Sequence, residues 1–110
     1  MTPEAYTKFT RTTRCKMPVT DEMMIPILAL GLAGEAGEVC DKIKKLLRAG
    51  EAIHSINVGE IEKELGDVLW YLTSIADELG LTLEDVMSTN VEKIKGRLER
   101  ATLYGAGDNR

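Results

Sequence analysis

At 110 residues the chain is long enough for one domain, expected over residues 1–110, and too short for two. With 44% hydrophobic and 29% charged residues it is not a disordered chain, and a net charge of −4 argues against stable non-specific binding to nucleic acid. Cys15 and Cys40 have no metal-ligand spacing and are too few for a disulfide framework, so they read as reduced thiols of a cytoplasmic protein. No basic start followed by an apolar run suggests a signal peptide, and the longest apolar stretch, residues 25–36, is interrupted by Pro26, glycines and Glu35. No membrane association is expected.

In chain order, Thr2-Pro3-Glu4 is a helix start, a hydroxyl cap followed by proline at the first helical position. A first helix should run to about Arg14 and end at Lys16-Met17-Pro18. Asp21 reads as the cap of a long second helix over residues 22–48, stopped at Gly50, with Pro26 tolerated in its first turns. Residues 51–58 form a connector. A third helix spans residues 59–79 and ends at Gly80. Thr82 with Asp85 three residues on resembles a capping box, opening a fourth helix to about Arg100. The tail from Tyr104 to Arg110 has no helical pattern. The expected fold class is all-α, a helical bundle of four main helices.

On helical wheels at about 100° per residue, the second helix has an apolar stripe of Leu28, Leu32, Val39, Ile43 and Leu46. Glu35 falls inside the stripe and Glu38 at its edge. On the third helix the stripe is Ile61, Leu65, Val68, Leu72, Ile75 and Leu79, bordered by Glu64, with Asp67 just outside. Each helix thus carries two carboxylates three residues apart, and residues so spaced are neighbours on one helix face. Packed side by side, the helices would bring four mutually repelling anions together, at a high desolvation cost. A hard divalent cation relieves that cost, and an all-oxygen set suits Mg2+ or Mn2+ rather than Zn2+. A single E-x-x-E is ordinarily a solvated face; two beside apolar stripes are harder to dismiss. Lys42, one turn beyond Glu38, is either its i,i+4 ion-pair partner or a cation for an anionic substrate. A di-iron bundle would need Glu-x-x-His on two helices, and the only histidine, His54, falls in the connector.

The block Leu30-Gly31-Leu32-Ala33-Gly34-Glu35-Ala36-Gly37-Glu38-Val39 resembles the first motif of the MazG-like nucleotide pyrophosphohydrolases. Residues 62–72, with Gly66-Asp67-Val68-Leu69-Trp70-Tyr71 intact, resemble the second. Asn90-Val91-Glu92-Lys93 followed by Arg97 is similar to the family's N-x-x-K…R stretch, although the Tyr-Pro-like ending common in relatives is missing. The resemblance covers about residues 25–100. It implies a helical bundle that oligomerises as a dimer or tetramer, and Mg2+-dependent hydrolysis of a nucleoside triphosphate, often a deoxynucleotide, to the monophosphate and pyrophosphate. It implies Glu35, Glu38, Glu64 and Asp67 as metal ligands and Asn90, Lys93 and Arg97 as phosphate-binding residues. By the chemistry of the reaction, Glu35 or Glu38 is expected to accept the proton, and Lys42 to join the substrate-binding residues. The alternatives are a phosphoribosyl-ATP pyrophosphohydrolase and a helical interaction module without activity.

Trp70 points away from the third helix's stripe, which suggests a subunit interface or, failing that, a base-stacking surface. Tyr6 and Phe9 read as core or interface residues.

Overall fold

The computed structural model describes residues 1–101. It is all-α: α1 (Pro3–Arg14), α2 (Asp21–Arg48), a single 3-10 turn at Ile53–Ser55, α3 (Val58–Glu78) and α4 (Leu83–Glu99). The tail from Tyr104 to Arg110 lies outside the described residues.

Local chemistry sets most of the boundaries. The Thr2 hydroxyl accepts the Ala5 N–H at 3.1 Å ahead of Pro3, and Asn57 Oδ1 accepts the Glu60 N–H at 3.2 Å at the start of α3. The Thr82–Asp85 capping box forms in both directions: the Asp85 N–H donates to the Thr82 hydroxyl at 3.0 Å and the Thr82 N–H to the Asp85 carboxylate at 2.9 Å. Those bonds hold Asp85 below the ordinary carboxylate range, the backbone N–H of Thr82 first. Gly50 and Gly80 both adopt φ of 76°. Around them Glu51 N–H reaches Leu46 C=O and Leu81 N–H reaches Ala76 C=O, the six-residue closure of a Schellman ending. The expected cap of α2 shifts by one residue. Thr20 occupies the cap position with extended backbone, and Asp21 lies in the first turn, where its charge meets the positive end of the helix dipole.

Pro26 is tolerated as expected: it falls in the second turn of α2, where it forfeits one N–H, and the helix, 28 residues in all, runs on through it. The apolar stretch is not, however, too short or too interrupted for a span. By length and composition α2 is apolar enough to cross a membrane, with mean hydropathy 1.5 over its best window. Here it is one arm of a hairpin. Gly31 meets Tyr71, Glu35 meets Asp67 and Glu64, and Lys42 meets Glu60, so partner numbers fall as α2 numbers rise and the two helices are antiparallel. This hairpin is the most extensive packing among the described residues; α1 and α4 pack on α3 and on each other.

The stripes read as core are covered only in part. Leu28 is fully buried, whereas Leu32, Val39, Ile43 and Leu46 are half-buried and Leu65 and Leu79 are exposed. The residues that are fully enclosed on α3 are small, Thr73, Ser74 and Ala76, with Thr10 of α1 and Leu83 of α4 also buried. The radius of gyration, 16.9 Å, exceeds the roughly 13 Å of a compact domain of this length. The described chain is therefore an open arrangement around α3, with apolar surface at Leu30, Leu47, Leu65 and Leu69 facing solvent.

Candidate metal centre

Glu35 from α2 and Glu64 and Asp67 from α3 each offer a carboxylate oxygen, and the three atoms lie within 4.8 Å of one another. Helical geometry explains this. Glu64 and Asp67 are three residues apart on one face of α3, and the antiparallel register puts Glu35 opposite them. Glu35 and Glu64 are half-buried and Asp67 is exposed, so the trio sits at the rim of the α2–α3 seam. The Glu35 carboxyl is held above the ordinary range, by burial first and then by the charges of Asp67, Glu64 and Glu38. Repulsion among the carboxylates is therefore felt in the folded protein.

Glu38 lies one turn beyond Glu35, exposed, close enough to act on it by charge but outside the trio. Lys42 does not pair with Glu38, as its spacing allowed. It bridges to α3, with Nζ 3.4 Å from Glu64 and 3.6 Å from Glu60, and these partners, Glu64 foremost, raise its pKa. A single lysine thus offsets part of the negative charge at one end of the trio. Asn90 and Lys93 line a shallow groove of α4 with Leu81, Asp85, Val86 and Thr89, and Arg97 is buried on the same helix. None of the trio lines that groove.

Trp70 meets α1. It is half-buried, its indole N–H donates to the Thr13 hydroxyl of α1 at 2.8 Å, and its ring meets Tyr71 edge-on with centroids 5.0 Å apart. Beyond it, α1 is clamped to the end of α3 by charge. Arg11 donates to both oxygens of Asp77 at 2.6 and 2.8 Å, and Arg14 to Asp77 and, at 2.8 Å, to Glu78. Arg14 is buried and also donates to the Thr10 hydroxyl. The arginines, Arg11 first, hold Asp77 below the ordinary carboxylate range. At the other end of α1, Tyr6 is near enough to Asp67 for that charge, after burial, to raise its phenol pKa. Nothing in the local sequence pairs residues so far apart, and neither the clamp nor the placement of Tyr6 beside the acidic site was legible before the fold.

α2 carries Glu-x-x-Glu and α3 carries Glu-x-x-Asp, and the first acid of one faces both acids of the other. Residues 25–101 match the MazG nucleotide pyrophosphohydrolase domain. The chain belongs to the MazG family. The Gene 37 protein of Mycobacterium phage L5 is 40% identical over 84 residues, spanning 76% of this chain and 74% of its own. The protein YvdC of Bacillus subtilis (strain 168) is 43% identical over 42 residues, 38% of this chain and 40% of its own. No solved structure matches. Membership assigns the chain to the nucleotide pyrophosphohydrolases, a divalent-metal-dependent family, and the acidic trio is where this MazG chain can hold such an ion. The donor set fits: oxygen ligands alone, mutually repelling without a cation, and Glu35 already resisting ionisation.

Proposed function

We propose that this MazG protein hydrolyses (deoxy)nucleoside triphosphates to the monophosphate and pyrophosphate with Mg2+, or Mn2+, and serves to clear the cytoplasmic nucleotide pool. The observation that carries this reading is the convergence of Glu35, Glu64 and Asp67 from two helices at the rim of a seam. These three would hold the cation, with Glu38 one turn away as the fourth carboxylate. A bound divalent cation neutralises triphosphate charge and lowers the pKa of a water it binds. Glu38, exposed and outside the trio, is the better placed of the first pair to accept a proton from the attacking water, because a carboxylate engaged by metal is a weaker base. Lys42 stands at the edge of the trio, where phosphate oxygens can compete with Glu64 and Glu60 for its ammonium. Asn90, Lys93 and Arg97 would bind phosphates from α4.

We place the enzyme as a homo-oligomer, a dimer or tetramer, because Leu30, Leu47, Leu65 and Leu69 of the hairpin are exposed in the single chain. Light scattering at micromolar concentration should show no monomer.

The test is pyrophosphate release from a panel of ribo- and deoxynucleoside triphosphates and phosphoribosyl-ATP, with Mg2+ and with chelator. Metal-dependent release from the nucleoside triphosphates supports the reading. Turnover of phosphoribosyl-ATP alone would make it a dedicated metabolic enzyme, and no turnover of any substrate would leave a binding module. Glu38→Gln should abolish turnover with the fold intact. Lys93→Ala should raise KM more than it lowers kcat, since a lysine touching phosphate in ground and transition states alike contributes uniform binding.

A further inference from the structure

The two sequence motifs contain four glycines inside helices, Gly31, Gly34, Gly37 and Gly66, and each lowers helix stability by about 1 kcal/mol relative to alanine. A Cβ added at Gly34, Gly37 or Gly66 would meet nothing within 4 Å. At Gly31 it would fall 2.1 Å from Cε1, 2.4 Å from Cζ and 2.6 Å from Cδ1 of Tyr71. The Tyr71 ring therefore lies directly against the α2 backbone, in space that only glycine leaves.

The location matters as much as the contact. Gly31 is one turn before Glu35 on α2, and Tyr71 one turn after Asp67 on α3, so the contact is the next layer of the seam below the acidic trio. The ring is bounded on one side. Its edge-on neighbour is Trp70, and that indole is fixed by its bond to Thr13 of α1. Raising the 2.1 Å approach to the ordinary contact distance of 3.4–4 Å therefore falls on the separation of α2 and α3. Ligand groups tolerate only about 0.5 Å of misplacement.

We propose that Gly31 and Tyr71 set the spacing of α2 and α3 at the level of the acidic trio and are positioning residues for its cation. The inference rests on the metal-binding reading of Glu35, Glu64 and Asp67. It also gives the ring stack a purpose: Thr13, Trp70, Tyr71 and Gly31 form a continuous brace from α1 through α3 to α2.

The experiment is Mn2+ titration of the full chain, followed by the paramagnetic signal of the free ion, in wild type, Gly31→Ala, Tyr71→Ala and the double variant, with helicity checked by circular dichroism. Gly31→Ala should bind about 10–100-fold more weakly, the range for disturbing the residues that orient metal ligands. Alanine favours helix over glycine, so a weaker helix would not account for the loss. Tyr71→Ala removes all three ring atoms that meet the new Cβ, and the double variant should bind as Tyr71→Ala does. Wild-type affinity in a folded Gly31→Ala protein, or a double variant that binds more weakly than Tyr71→Ala, would overturn the inference and leave the metal site standing. Should Gly31→Ala not fold, the Tyr71→Ala pair still decides: adding Gly31→Ala in that background must not change Mn2+ affinity, and a further loss overturns the brace. A wild type that binds no Mn2+ would overturn the metal reading and this inference with it.

Discussion

Two places on α3 gather carboxylates, and their surroundings push them in opposite directions. At its C-terminal end Asp77 and Glu78 meet Arg11 and Arg14, and the arginines pull Asp77 below the ordinary range. Near its N-terminal end Glu64 and Asp67 meet Glu35, with Lys42 on Glu64 at one edge, and Glu35 is pushed up. The residue types are the same; the partners differ. The first cluster is balanced and hydrogen-bonded, and it ties α1 to the hairpin. The second carries surplus negative charge, and that surplus distinguishes a place for a cation from a structural ion pair.

Activity should separate the clusters most widely. Glu64→Gln and Asp67→Asn should each lower kcat/KM at least about a hundredfold while the protein melts near the wild-type temperature, since metal-ligand losses act on charge and not on packing. Assays on purified variants across a range of Mg2+ would check this; near-normal kcat/KM in either would remove that residue from the site.

At the other cluster the loss should fall on stability. Arg14 is 6% exposed in its side chain, and Arg14→Ala would leave Asp77 and Glu78 short of their buried partner. Asp77 keeps Arg11 and Glu78 is partly exposed, so the cost should be that of lost charged hydrogen bonds, about 1.5–3 kcal/mol. Urea unfolding should register most of that, whereas deletion of the exposed Lys8–Glu4 pair should register almost nothing.

Acid should widen the contrast further. Asp77 has a depressed pKa, so its stabilisation is complete above the unfolded carboxylate pKa and is lost as pH falls through the lower folded value. Glu35 has a raised pKa, so its ionisation penalises the metal-free fold at neutral pH, and the penalty lifts as pH falls through the folded value to below the unfolded one. Metal-free Glu35→Gln should therefore be more stable than wild type at pH 7, with the gap closing in acid. A constant gap across that range would show that the carboxylates do not strain one another.

The mildest loss belongs to neither cluster. Thr82→Ala removes the hydroxyl half of the α4 capping box and should cost about 1 kcal/mol by thermal unfolding, with metal affinity unchanged.

What could be read before the fold was local. The hydroxyl cap at Thr2, the Thr82–Asp85 box and the Gly50 and Gly80 endings depend on residues within one turn, and the carboxylate pairs follow from helical periodicity. The partners were another matter. A wheel shows which side of α2 and α3 is apolar but not what covers it, so Leu65 and Leu79 read as core and stand exposed. Spacing offered Lys42 a neighbour on its own helix; the α2–α3 register gave it Glu64 and Glu60 instead. Trp70 was legible as an aromatic off the stripe, yet its partner, Thr13, is 57 residues away in sequence. Gly31 lies in the first motif with nothing in the sequence to distinguish it from Gly34; only the fold sets Tyr71 against it.

Joint binding of a divalent cation by Glu35, Glu64 and Asp67 is what calorimetric titration of Mn2+ tests most directly. Wild type, Glu64→Gln and Glu62→Gln would be compared, because Glu62 lies on the same helix, is exposed, and loses the same charge on substitution. Glu62→Gln should bind like wild type and Glu64→Gln should lose most of the binding. Equal isotherms for Glu64→Gln and wild type would contradict the site.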